Sequence, residues 1–153
     1  MIKPKPLFKS IERGWTPDRM GDQSGKTILI TGGNSGIGLD AAKILAARGA
    51  DILLCSRTLA KGEAAVAEVN ALGGGTATLV QLDLADLASI QAAAKQVKTL
   101  TPKLDVLINN AGIMQTPKLK TKDGFELQLG TNHLGHFLLD GLLFPLVAAA
   151  SGR

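Results

Sequence analysis

Residues 27–50 read "TILITGGNSGIGLDAAKILAARGA" and place four glycines within the seven positions from Gly32 to Gly38. The opening "TILIT" is a β-branched, apolar run of strand type. Beyond the glycines, Ile37, Ala41, Ile44, Leu45 and Arg48 recur at helical spacing. The stretch is therefore a strand, a glycine turn and a helix. Glycine lets the backbone take positive φ and lets a ligand approach where a Cβ would collide. The start of a helix offers unpaired N–H groups and a partial positive charge, so the natural guest of such a turn is a pyrophosphate. The spacing is not G-x-G-x-x-G but Thr31-Gly32-Gly33-Asn34-Ser35-Gly36-Ile37-Gly38, that is, T-G-x-x-x-G-x-G.

The rest of the chain repeats the alternation. "DILLC" (51–55), "TATLVQL" (76–82) and "LDVLIN" (104–109) read as further strands. Helices are predicted over 59–72, with Thr58 as N-cap and Gly73–Gly75 as the stop, and over 87–100, capped by Asp86 and ended before Pro102. A last helical region is predicted from about Thr131. Strands that are apolar throughout, alternating with helices, form a parallel sheet covered on both faces. Right-handed crossovers then give the spatial order 3-2-1-4, with a switch point between strands one and four where ligands bind. The expected fold is α/β: a Rossmann-type doubly wound parallel sheet, truncated after the fourth strand and the helix that follows it. Residues 1–25 are expected to be an N-terminal arm and 26–153 an incomplete dinucleotide-binding domain.

The glycine turn is similar to that of the short-chain dehydrogenase/reductase superfamily, and three further motifs carry the resemblance. Asn109-Asn110-Ala111-Gly112 resembles the family's N-N-A-G after strand four. Asp83, with Leu84 beside it, resembles its adenine-contacting Asp. The run from Asn132 through Leu139, "NHLGHFLL", is similar to the helix that carries its catalytic Asn, in the form of retinol-dehydrogenase-like members. The resemblance spans about residues 25–153. It implies an oxidoreductase that exchanges hydride between a nicotinamide and a small-molecule carbonyl or alcohol. It also implies cofactor contacts from Gly32, Asn34, Ser35, Gly36, Ile37, Gly38, Asp83, Leu84, Asn110, Ala111 and Gly112, with Asn132 as the catalytic residue. A homo-oligomer formed through the last helix is implied for the full-length form. Each motif also has a plainer reading: Asp83 as a local turn acceptor, Asn110 and Gly112 as turn formers, Asn132 as a helix-start cap.

Strand two ends in Ser56 and is followed by Arg57. An NAD site places an acid about 20 residues beyond the glycines to hold the ribose 2′-hydroxyl. A neutral hydroxyl followed by a guanidinium instead suits a 2′-phosphate. Ser56 and Arg57 thus point to NADP rather than NAD, as they do in relatives with this pair.

Composition excludes several classes. With 45% hydrophobic and 20% charged residues the chain can bury a core. Six basic residues precede strand one (Lys3, Lys5, Lys9, Arg13, Arg19, Lys26), but no aromatic or helical stripe accompanies them, so a solvated arm is expected and no nucleic-acid partner. The single Cys55 excludes an internal disulfide and suits a reducing, cytoplasmic setting. "MIKPKPLF" lacks an apolar signal core, and "FLLDGLLFPLVAAA" is too short and interrupted to span a membrane. His133 and His136 have no further ligands for a metal, so they read as polar surface or core packing.

One part of the family's machinery has no match. Its proton transfer uses a Ser and a Tyr and Lys spaced Y-x-x-x-K, and this chain contains no tyrosine. The sequence reaches Ser151-Gly152-Arg153 where the family begins the strand that carries the Ser. Two functions fit: the cofactor-binding part of an NADP-dependent oxidoreductase, inactive alone, or a short non-catalytic nucleotide- or partner-binding protein. The first is favoured because strand four would otherwise be left as an apolar edge.

Overall fold

The structure, a computed structural model, describes residues 16–150. The expectations for Lys3, Lys5, Lys9, Arg13 and Ser151–Arg153 lie outside the described residues. Four strands, β1 (Thr27–Thr31), β2 (Asp51–Ser56), β3 (Ala77–Gln81) and β4 (Val106–Ile108), form one sheet in the order β3-β2-β1-β4. All three pairings are parallel, with Ile28 opposite both Ile52 and Val106. Between them run α1 (Gly36–Ala46), α2 (Leu59–Asn70) and α3 (Leu87–Leu100). A single helical turn α4 (Leu127–Leu129), a π turn (Gly130–Leu134) and α5 (Gly135–Ala148) follow β4.

Strand side chains alternate between faces, so each central strand feeds two cores. Ile28, Ile30, Ile52 and Leu54 pack with Ala42, Ala46, Ala65 and Val69 of α1 and α2. Leu29, Leu53 and Val80 pack on the other face with Ile90 and Val97 of α3 and Leu139 and Leu143 of α5. The sheet is thus buried on both sides, which is why its strands read as continuous apolar runs. Among the described residues no helix is long and apolar enough to cross a membrane.

Element ends differ from the sequence reading in informative ways. Asp86 caps α3, accepting from the N–H groups of Ala88 and Ser89. Thr58 stands at the start of α2 without a side-chain cap; its carbonyl instead accepts from Gly62 N–H and the Ser56 hydroxyl. The last helical region begins four residues before Thr131, because the Glu126 carboxylate accepts from Gln128 and Leu129 N–H and nucleates a turn there. The described end of the arm lies against the body: Arg48 donates to the Pro17 carbonyl, and Gln23 N–H donates to that of Arg48.

Candidate functional site at the carboxyl ends of the strands

The switch point between β1 and β4 opens a crevice of about 330 Å³. Gly32, Asn34 and Ser35 of the glycine turn line one wall, and Asn110, Ala111 and Gly112 the opposite one. Arg57, Asp83 and Leu84 line the β2–β3 end. Cys55, Leu82, Ile113 and Thr131 also face it; their apolar or unremarkable types gave the sequence reading no reason to single them out.

The two walls are pressed together by glycine. A Cβ on Gly32, which has φ +65°, would lie 3.0 Å from the Ala111 Cα and Cβ. A Cβ on Gly38 would lie 2.5 Å from both the Asn110 Nδ2 and the Gly32 carbonyl oxygen. Gly38 therefore serves helix packing from behind and does not line the crevice. Gly36 has φ +55° and open space around it, and Ile37 is 83% exposed; neither lines the crevice. Ser35 makes no side-chain cap, and no acid stands in the first turn of α1. The first amides of α1 are thus left for an outside acceptor, in a field that favours an anion.

Asn110 joins the walls with a side-chain bond: its Nδ2 donates to the Thr31 carbonyl at 2.9 Å. The Thr31 hydroxyl in turn accepts from Asn110 N–H and Ala111 N–H, each at 3.0 Å. Asp83 accepts from Ala85 N–H through Oδ1, which fixes the carboxylate at the crevice edge. Thr31 and its hydroxyl were not singled out from the sequence, although the residue opens the T-G motif.

Ser56 is placed differently from its expected role. The residue is only 2% exposed, and its hydroxyl donates to the Thr58 carbonyl at 3.0 Å inside the β2–α2 turn. It is absent from the crevice lining, which leaves Arg57, an exposed side chain on the crevice, as the polar group at that end.

Asn132 lies within the π turn, not at a helix start. Its Oδ1 accepts from Ile113 N–H at 2.9 Å and its Nδ2 donates to the Ile113 carbonyl at 2.8 Å. Gly112 sits beside it, since a Cβ there would come 3.6 Å from the Asn132 Oδ1. Gly135 ends the π turn against the Leu84 carbonyl, so this turn is packed onto the β3–α3 loop as well. Among the described residues no group of three His, Cys, Asp or Glu could hold a metal ion.

A parallel sheet ordered β3-β2-β1-β4, with helices on both faces and a glycine turn at its switch point, defines a Rossmann-type α/β protein. The chain belongs to the short chain dehydrogenase family, whose sequence profile matches residues 26–153. Retinol dehydrogenase 11 of Mus musculus is 51% identical over 120 residues, covering 78% of this chain and 38% of the relative. A solved, uncharacterized protein from Mycobacterium paratuberculosis superposes with a TM-score of 0.78 at 45% identity, covering 87% of this chain and 47% of that one. The RhlG/NADP active-site complex of Pseudomonas aeruginosa superposes at 0.73 with 28% identity, covering 86% and 50%. The chain thus spans half or less of the length of these relatives.

Proposed function

We propose that this chain is the cofactor-binding part of an NADP-dependent oxidoreductase of the short-chain dehydrogenase/reductase type, acting on a small carbonyl or alcohol. The observation that carries the cofactor reading is Arg57: an exposed guanidinium on the crevice, near the uncapped start of α1, with no carboxylate at Ser56 to neutralise it. The cradle fits a dinucleotide. Gly32 and Gly36 hold positive φ, which glycine adopts without a Cβ penalty, and the α1 amides suit a pyrophosphate. On this reading Asp83 and Leu84, which line the crevice, take the adenosine, and Arg57 takes the 2′-phosphate.

When bound, the dinucleotide supplies the hydride exchange. The chain's own residues hold and orient: Asn110 and Thr31 fix the crevice walls, and the Asn132 side chain is clamped to the Ile113 backbone. Proton transfer by a Tyr and Lys pair has no source in these 153 residues, since the sequence holds no tyrosine. General acid–base catalysis contributes about 10²–10⁴-fold in rate, so the chain by itself is expected to bind cofactor without turnover. The likeness to Retinol dehydrogenase 11 supports the alcohol or carbonyl class. Phe137 and Phe144, exposed and seven residues apart on α5, support a second copy as its cover.

The test is a pair of titrations. Parent chain should bind NADP more tightly than NAD, and Arg57→Ala should lower NADP affinity about 10- to 100-fold, the worth of a hydrogen bond to a charged group, with little change for NAD. Equal affinities in the parent, or an unchanged ratio in the variant, would remove the NADP assignment. Turnover that follows the purified 153-residue chain would remove the claim that it lacks the proton donor.

A further inference from the structure

His136 sits in the first turn of α5, is 6% exposed, and takes no part in the site as described so far. Its ring bridges the end of β1 and the Asn132 turn. Nδ1 lies 2.9 Å from the carbonyl oxygen of Asn132, one turn back. Nε2 lies 2.9 Å from the hydroxyl of Thr31, which is 105 residues away in sequence at the end of β1.

The partners fix how the ring is protonated. A carbonyl only accepts, so Nδ1 carries the hydrogen. The Thr31 oxygen already accepts from the N–H groups of Asn110, which is shared with the Ile108 carbonyl, and of Ala111. Both its lone pairs are used, and its one proton remains to be donated. The nearest acceptor for that proton is His136 Nε2 at 2.9 Å; the alternative, the Ile108 carbonyl, is at 3.4 Å. The hydrogen-bond network therefore assigns the Nδ1–H tautomer, in which every partner is satisfied.

In the π turn, Gly135 N–H bonds back to Gly130. His136 sits directly after this turn and supplies a side-chain donor at the Asn132 carbonyl, while the Asn132 side chain is held by Ile113.

The geometry points to His136 as a positioning residue: it ties the Asn132 carbonyl to the Thr31 hydroxyl, so that the glycine turn and the Asn132 segment respond to cofactor as one unit. This rests on the reading above of the crevice as an NADP site. Through Thr31 the tie reaches Asn110, Ala111 and the close contact of Ala111 with Gly32. Through Asn132 it reaches Ile113. A phenylalanine of similar volume would fill the space and break both ends.

The experiment uses the ¹⁵N-labelled 153-residue chain. Long-range ¹H–¹⁵N spectra, with His133→Gln to assign the second ring, should show His136 as the Nδ1–H tautomer. Amide hydrogen exchange is then followed with and without NADP⁺. In the parent, nucleotide should slow exchange both in the glycine turn and over residues 132–137, each by at least about fivefold, the lower end of ordinary coupling between sites. His136→Phe should keep the slowing in the glycine turn and lose it over 132–137. His136→Asn, which keeps a donor near Asn132, and His136→Gln, which keeps the reach to Thr31, should lose it too, because each holds only one end. These two variants and the tautomer decide the matter if His136→Phe does not fold. An Nε2–H tautomer in a parent that binds NADP⁺, or coupling that survives in all three variants, overturns this inference alone. A parent that binds no nucleotide overturns it together with the proposed function.

Discussion

Replacing Gly38 by alanine tests the packing on which the crevice depends. The new Cβ would stand 2.5 Å from the Gly32 carbonyl oxygen and 2.5 Å from the Asn110 Nδ2, with the Gly32 carbonyl carbon at 3.1 Å. Neither neighbour can yield freely. Gly32 is main chain in a turn at φ +65°, and the Asn110 amide is committed to the Thr31 carbonyl at 2.9 Å. Overpacking of this kind costs about 1–3 kcal/mol. Loss of the Asn110 bond adds about 0.5–1.5 kcal/mol, and alanine returns about 1 kcal/mol of helix propensity. The net is a destabilisation of about 1–3 kcal/mol, read as a drop of about 1 M in the urea midpoint at unchanged slope. The control is Gly141→Ala in α5, where the added Cβ meets nothing within 4 Å and φ is ordinary. That variant should gain up to about 1 kcal/mol. NADP affinity should fall in Gly38→Ala and hold in Gly141→Ala. If Gly38→Ala unfolds at or above the parent's midpoint, the close approach of α1 to the N-N-A-G turn is not what requires glycine there.

Three further outcomes follow from other parts of the molecule. Thr31→Val keeps the shape but takes the acceptor from the Ala111 amide and leaves the Asn110 amide with the Ile108 carbonyl alone. It should lose about 1–3 kcal/mol in urea denaturation, whereas Thr31→Ser should restore most of it; equal stability of Val and Ser would contradict the hub role of the hydroxyl. Burial pushes the Cys55 thiol up to about 12, so a thiol reagent at pH 8 should label it only in step with unfolding, and fast labelling of native protein would count against its burial. Asp105 closes the start of the β1–β4 pairing, accepting from Thr27 N–H at 2.8 Å and from Lys103 at 2.9 Å. Burial opposes its ionisation, but the Thr27 and Lys103 bonds and the charge of Lys26 outweigh it and hold the carboxyl below its ordinary value. A depressed carboxyl stabilises the fold above its unfolded value, about 3.9, and that contribution disappears as pH falls through the folded value. Asp105→Asn should therefore cost on the order of 1 kcal/mol at pH 7, with parent and variant converging below pH 4; a pH-independent difference would remove the charge from the account.

What could be read from the chain and what could not divides by the range of the cause. The strands "TILIT" and "DILLC" and the helix over 87–100 with its Asp86 cap came from periodicity and turn residues within a few positions, and the order 3-2-1-4 from the right-handed crossovers such an alternation requires. The T-G-x-x-x-G-x-G turn and the N-N-A-G turn could be placed on one crevice because parallel α/β topology sends all such turns to the same sheet edge. Side-chain direction was not available in that way. Ser56 ends β2 as expected, yet its hydroxyl is drawn into the turn by the Thr58 carbonyl, so Arg57 and not Ser56 lines the crevice at that end. The helix before Thr131 was missed because its nucleus is the Glu126 carboxylate and not an apolar stripe. Asn132 could be read from the chain as a catalytic asparagine, by resemblance, or as a helix-start cap; the π turn and the bonds to Ile113 put it inside a helical region and not at its start. The sequence by itself determined the elements, their order and the glycine positions, since these follow from local sterics and hydrophobic period. Tertiary structure alone decided that Thr31 and His136 meet, because that contact exists only once β1, β4 and α5 are packed in register, and no pattern within a window of sequence encodes a distance across 105 residues.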